Sequence, residues 1–424
     1  LQDGTYAEAV YTYIDADVSG NDNALIGSTS EQYQKGRDTG DIAESYDFFR
    51  YGVKADVNDT FSVGVLYDEP FGASAEYTGD NNFTGAPTAA IDDLIAQQLD
   101  GKVPGQTITS AQQLSVFVDQ SQQGLAAARA GVVQLQAALQ NTTIPAVQAA
   151  LQQRISGVQA QIAAGEASLA PLVGFDNYAN AQLSNTENTK VEMRSENLTA
   201  ILGAKFGAKK EFQVYGGPVA QRIRASTKLR GSAYGPATGY TSNSNPDMDY
   251  GYIAGFSYSK PEIALKAALT YRSEIDHDVT ISETYPLAGL LAGNPAAATQ
   301  VSNYELTTPQ SVNFDFQTGL NKTTLATAKV RWVPWSDFKI TPPLYNKVSV
   351  DSGLYGPNGL NIVEYEDDQY QVEVGIAKRL APALAVSGTV GWDSGAGDPT
   401  TSLGPIDGYY SVGLGAKYNV ISLV

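Results

Sequence analysis

The sequence has no cysteine and one histidine, His277. Disulfides, thiol nucleophiles and thiolate metal sites are therefore excluded, and one imidazole leaves little for metal or acid–base chemistry. Long apolar runs are missing as well. None approaches the roughly 20 residues that a membrane-crossing helix requires. Positive charge is scarce: 27 Lys and Arg stand against 45 Asp and Glu, a formal net charge of −18. That balance argues against a nucleic-acid partner, because a phosphate backbone needs a basic face. The first residues already read as a strand with no leader before them, so the chain reads as mature or trimmed.

What the sequence does have is the material of a large sheet. Hydrophobic residues make up 42%, Gly reaches 41, and Tyr (25) outnumbers Phe (13). A chain of 424 residues has room for two or three soluble domains or for one large closed sheet. The patterning favours the sheet. From Thr60 to Tyr67, Phe61, Val63, Val65 and Tyr67 alternate with Thr60, Ser62, Gly64 and Leu66, the two-residue period of a strand with unlike faces. Similar alternation covers Thr5 to Asp15, Tyr46 to Val57, the residues after Lys190, and Phe212 to about Leu229. It returns around Tyr250–Tyr258, Ile263–Val279, Val312–Phe316, Ala326–Trp332, Tyr370–Ile376, Leu384–Trp392 and Tyr410–Tyr418. Twelve strands are counted. Short turns at one end, long loops at the other and Tyr or Trp near strand ends predict an all-β, antiparallel transmembrane barrel of the outer-membrane type. Within Ile263–Val279, Leu265, Leu269 and Tyr271 are expected outside, with Lys266, Arg272, Glu274, Asp276 and Asp278 inside.

One stretch breaks this pattern. Between about Ala86 and Asn185, apolar residues such as Val147, Leu151, Ile155, Val158 and Ile162 recur at spacings of three and four, which is helical. Asn141-Thr142-Thr143 then Pro145 supplies a stop, a capping residue and a first-turn proline, predicting a helical hairpin. The expected division is 1–85 for barrel strands one to three, 86–186 for an extracellular helical insert, and 187–424 for the remaining strands.

The third strand runs into Asp68-Glu69-Pro70-Phe71-Gly72. Proline has no N–H for a ladder, and a closed barrel has no free edge to hide it on, so a bulge or an opening in the wall is expected. Several stretches resemble the FadL family of outer-membrane long-chain fatty-acid and hydrocarbon transporters: DEPFGASAEY from Asp68, ALTYRSE from Ala268, TPQSVNFDFQTG from Thr308, WVPWSDF from Trp332 and LGPIDGYYSVGLGAKY from Leu403. The resemblance implies a 14-stranded barrel, an N-terminal plug, a lumenal hydrophobic pocket and a kinked third strand that opens the wall sideways. The chain departs from that pattern by starting at its first strand, by ending near the twelfth at Leu423-Val424, and by its larger helical insert. Both ends are expected to be missing from this chain rather than from the natural protein.

Leu66 and Phe71 are the expected apolar lining near the kink. The basic residues expected to meet a ligand's anionic end are Arg50, Lys54, Lys266 and Arg272, with Lys329 and Arg331 also inward, and Arg222-Ile223-Arg224 resembles a basic pair of the family's fifth strand. Each of these also has the simpler role of neutralising lumenal carboxylates such as Asp56, Glu274 and Asp315. No catalytic residue, metal or cofactor is assigned: His277 has no nucleophile motif beside it, the acidic clusters around Asp15 and Glu364 lack the spacing of a calcium loop, and the Gly-rich segments read as turns. The expected partners are a fatty-acid or other lipid ligand, outer-membrane lipids with lipopolysaccharide, and a protein partner at the insert. Passive uptake of long-chain fatty acids or similar hydrophobic molecules is the leading expectation. A surface interaction protein acting through the hairpin and a polar diffusion porin are the alternatives.

Overall fold

A computed structural model describes residues 4–25, 33–353, 356–397 and 401–419; the terminal Leu423-Val424 pair lies outside them. Its largest element is a 16-stranded antiparallel sheet, twelve strands of which form one continuous path. We number these wall strands β1 (Tyr6–Ile14), β2 (Tyr46–Asp56), β3 (Phe61–Asp68), β4 (Lys190–Phe206), β5 (Phe212–Lys228), β6 (Asp247–Lys260), β7 (Leu265–Arg272), β8 (Ser311–Asn321), β9 (Thr324–Val333), β10 (Gln369–Ala381), β11 (Leu384–Asp393) and β12 (Tyr409–Tyr418). The path runs in that order, with β1 and β12 as its two ends.

The wall has an apolar outer face. Phe49, Tyr51, Val53, Phe61, Val63, Val65, Leu198, Leu202, Tyr250 and Tyr252 are all exposed, while their inward neighbours Lys54, Ser62, Thr199, Val219 and Gln221 are buried. In water such a surface would be a large unfavourable patch; against lipid it is what a barrel wall requires. No helix among the described residues is long and apolar enough to cross a membrane, and the strands supply the crossing instead. The turns β2–β3, β4–β5, β6–β7, β8–β9 and β10–β11 are short and all lie at one end, and every long connection lies at the other. The chain is a transmembrane β-barrel of the outer-membrane type.

The long connections carry α1 (Thr88–Leu99), α2 (Ala111–Asn141), α3 (Pro145–Leu183), α4 (Pro286–Leu291) and α5 (Pro343–Asp351). Helices α2 and α3 form the expected antiparallel pair, with Arg129 bonded to Glu166 at 2.6 Å across them. Only the base of the hairpin enters the core, through Ala111, Leu114 and Val118 on one helix and Leu169, Tyr178 and Ala179 on the other. Its tip, around Ile144 and Val147, is exposed. One local expectation fails: Pro145 does begin α3, but the capping position is Ile144, with no side-chain bond, so neither threonine caps the helix.

A second expectation also needs correction. Ile263–Val279 is not one strand: β7 ends at Arg272, and Ile275–Thr284 leaves the wall to pair with Thr299–Thr308. In this inner hairpin Ile275, His277, Val279, Ile281 and Glu283 are buried while Asp276 and Asp278 are exposed. The two-residue break at Ser273-Glu274 lets the alternation restart against the protein core rather than against lipid.

Candidate functional site

The site grows from the break in the third strand. β3 pairs with β4 from Phe61↔Ala204 to Asp68↔Asn197. Pairing with the same strand resumes at Gly72↔Arg194 and continues to Glu76↔Lys190. Glu69, Pro70 and Phe71 thus face only Ser195 and Glu196, three residues against two, which is a β-bulge. Ser195 mends this side of the break. Its amide donates to the Phe71 carbonyl at 3.0 Å, its Oγ accepts from the Phe71 amide at 2.8 Å, and the same Oγ donates to the Phe71 carbonyl at 2.7 Å.

The other side is not mended. β2 and β3 pair only from Tyr51↔Tyr67 to Asp56↔Ser62. Above Tyr51, residues 46–50 pair with β1 alone. Backbone contact with the third strand returns at Glu44, whose amide donates to Ser74 at 3.2 Å, and at the Ala43↔Ala75 bridge. Among the described residues, no ladder hydrogen bond joins 46–50 to 68–73. Side chains fill this gap: the Tyr46 and Tyr67 hydroxyls each donate to Glu69 at 3.3 Å, and the Arg194 guanidinium lies over the Tyr46 ring at 4.8 Å. Gly72 leaves room for Tyr46: a Cβ there would stand 2.7 Å from Tyr46 Oη and would push that ring aside.

Behind the break is a cavity of about 320 Å³, within the usual range for small-ligand sites, lined by Pro70, Phe71, Gly72, Leu306, Trp335 and Phe338 among others. Among the described residues, no Asp, Glu, Lys, Arg or His lines it. Phe71 meets Trp335 edge to face at 5.9 Å, and Trp335 packs in turn on Phe338 and Tyr365.

Directly beneath lies a polar layer. Arg272 donates to Asp68 at 3.1 Å. Its other nitrogen faces Asn197, whose Oδ1 turns to accept from it and whose amide nitrogen then lies 3.0 Å from Gln221. Gln221 meets His277 Nε2 at 3.0 Å and Thr308 Oγ1 at 2.7 Å. His277 Nδ1 in turn stands 3.0 Å from Asp247. The only histidine is thus part of an interior network rather than a nucleophile's partner.

A second, larger cavity of about 940 Å³ opens among the helices, between α1, α4 and α5. Two short segments separate it from the inner one: Leu344 and Leu360 face the outer space, while Pro342 and Ile362 face the inner. The buried carboxylate of Glu283 fixes this partition. It accepts from the Leu344 amide at 2.9 Å, from the Tyr345 amide at 3.0 Å and from the Tyr240 hydroxyl at 2.9 Å. An anion at the first turn of α5 is also where the helix dipole favours one.

The expected site residues divide. Asp68, Glu69, Pro70, Phe71, Gly72 and Arg272 come together at the break. Leu66 is on the inner face of β3 but outside the cavity lining. Arg50 pairs with Glu8 at 3.2 Å, and buried Lys54 with Asp56 at 2.6 Å, on the far side of β2. Lys266 lies at the short-turn end, beside Lys205 and Gln317. Arg222 and Arg224 are corrected: they share a face of β5 with exposed Pro218 and Val214, opposite buried Val219, Gln221 and Ile223, so they point out of the barrel. Ser195, Asn197 and Gln221 were not anticipated. Their signal was a polar inner face of β4 and β5, alternating with Leu198, Ala200 and Ala220.

No family model matches the sequence, and no curated relative matches it either. Among solved structures, the chain is similar to the Pseudomonas putida toluene transporter TodX, at 9% identity and a TM-score of 0.46, covering 99% of this chain and 81% of that one. It is also similar to the Ralstonia pickettii toluene transporter TbuX, at 8% identity and a TM-score of 0.41, covering 94% and 82%. The Vibrio cholerae outer-membrane protein OmpT aligns over 99% of this chain and 98% of that one at 11% identity, with a TM-score of 0.29. TodX and TbuX are FadL-family hydrocarbon transporters, the family that the sequence motifs resemble. At these identities the likeness is one of overall arrangement.

Proposed function

We propose that this barrel passes small hydrophobic molecules across the outer membrane without an energy source. The helix-bearing end faces the exterior, the larger cavity collects the molecule, the inner cavity holds it, and the gap between β2 and β3 lets it leave sideways into the membrane. One observation carries the reading: the residues that break the third strand, Pro70 to Gly72, are also the lining of an apolar cavity beside an unpaired stretch of wall. A ladder without hydrogen bonds is costly in lipid, so its persistence calls for a use.

The chemistry favours an uncharged passenger over a long-chain fatty acid. A carboxylate needs a cation or donors at its binding place, and none of the described residues that line the inner cavity is charged. The nearest expected cation, Arg272, is engaged by Asp68. The proposal involves no bond-making step.

The absence of native cysteine allows a direct test. Tyr46→Cys with Glu69→Cys, joined by a reducible thiol cross-linker, ties the gap shut. Uptake of a radiolabelled neutral aromatic into proteoliposomes should fall to the protein-free level and recover on reduction. Undiminished uptake by fully cross-linked protein would overturn the sideways route. Running a fatty acid in parallel decides the substrate class, since saturable uptake of the acid alone would reverse the preference for uncharged molecules.

A further inference from the structure

On the outer surface of β4 and β5, alternation changes character without changing phase. Leu202, Ala200 and Leu198 point into the lipid band; two residues further toward the helices, the same face presents Glu196, then Arg194, then Glu192. Each such step is about 6.7 Å along a strand. On β5 the same face runs from Val214 and Pro218 through Ala220 to Arg222 and Arg224. The charges begin at one level on both strands, because Leu198 pairs with Ala220 and Glu196 with Arg222.

Above that level two arginines are in direct cross-strand register, Arg194↔Arg224, with Arg222 beside them. Like charges directly opposite on one face repel, and such a pair needs an anion. The available carboxylates do not suffice. Glu192 takes Arg194 at 3.2 Å, and Glu196 is 3.7 Å from Arg222. Arg224 has no ion pair among the described residues. Arg194, Glu196, Arg222, Ile223 and Arg224 border a hollow of about 80 Å³ on the wall, the Arg194 guanidinium lying also over the Tyr46 ring. Below this hollow are the exposed side chains of Leu198, Leu202, Tyr250 and Tyr252, a surface suited to acyl chains, while Met248 stands level with Arg222. In a chain with a net charge of −18, this basic rim is local and out of character.

We infer that Arg194, Arg222 and Arg224 form an outward-facing site for the phosphate of a phosphorylated membrane glycolipid in the leaflet at the helix-bearing end, its acyl chains lying on the apolar stripe below. Guanidinium groups bind phosphate bidentately and keep their charge at any physiological pH. The inference rests on the barrel spanning a membrane and is independent of what the barrel transports.

The test is native mass spectrometry of the full chain reconstituted in phosphatidylcholine with a small share of diphosphorylated glycolipid. Wild type should retain the glycolipid, and Arg222→Gln with Arg224→Gln should lower retention about tenfold, the loss expected for two solvent-exposed ion contacts, while Arg222→Lys with Arg224→Lys keeps part of it. Equal retention by the glutamine variant would overturn the site. So would equal retention by wild type of the same glycolipid stripped of its phosphates, a comparison that stands even where the variant fails to insert. Displacement of the glycolipid by millimolar inorganic phosphate would assign the arginines to a free anion instead and reject the lipid.

Discussion

The Phe71 amide and the Ser195 hydroxyl meet at 2.8 Å, and that hydroxyl returns a bond to the Phe71 carbonyl at 2.7 Å. A residue 124 positions away thus stands in for the ladder that Pro70 interrupts, making the break one-sided: closed toward β4, open toward β2.

Ser195→Ala would leave the Phe71 amide without its acceptor in a buried place, a loss of about 1–3 kcal/mol. The barrel should still insert, but its heat-induced mobility shift in gels should come at a lower temperature. Ser195→Thr keeps the hydroxyl and should behave close to wild type.

Asp68 and Arg272 are 21% and 15% exposed. Removing either partner strands the other in the polar layer, a cost on the order of 3 kcal/mol. Arg272→Leu with Asp68→Leu should be less destabilised than Arg272→Leu alone. Chemical denaturation of Arg272→Leu, Asp68→Leu and the double variant side by side measures this, and strict additivity would mean that the pair is not coupled.

Trp335 reports on the inner cavity. With Trp332→Phe and Trp392→Phe it is the only tryptophan left, and its packing on Phe71, Phe338 and Tyr365 places it at the lining. Titrating a neutral aromatic should change its emission saturably. Phe71→Ala should weaken that response several-fold, because the ring that closes one side of the cavity is lost.

Outside the wall, Glu187 accepts from Lys228 at 2.5 Å and Arg230 at 2.6 Å. These two cations hold its carboxyl down to about 2, from an ordinary 4.5. A depressed carboxylate contributes its stability in full above the ordinary value and loses it as pH falls through the folded one. Acid cleavage of the connection between α3 and β4 should therefore rise from pH 4.5 toward about 2. In Glu187→Gln that pH dependence should be absent, with cleavage elevated at every pH.

The twelve wall strands were legible because a lipid-facing wall writes its period into every second residue. The same writing misled at Ile275–Thr284. Alternation records that one face is buried without saying in what, and Ile275, Val279 and Ile281 would serve equally against lipid or against the core where they lie. Arg222 and Arg224 failed differently: their face stays outward, but β5 has risen above the apolar band, so charge outside no longer signals lumen. Pro70 to Gly72 could be read because proline and glycine act locally. Ser195, Trp335 and Phe338 could not, since nothing near them in the chain states that they meet the break.

On the proposed route, the buried carboxylate of Glu283, by holding the first turn of α5 between the two cavities, would make the passage a latch rather than a tube. Transit would then be paced by how often one helical turn frays, not by a fixed bore. Such a barrel should admit greasy molecules singly while carrying almost no steady ion current, and Glu283→Gln should make the latch leak.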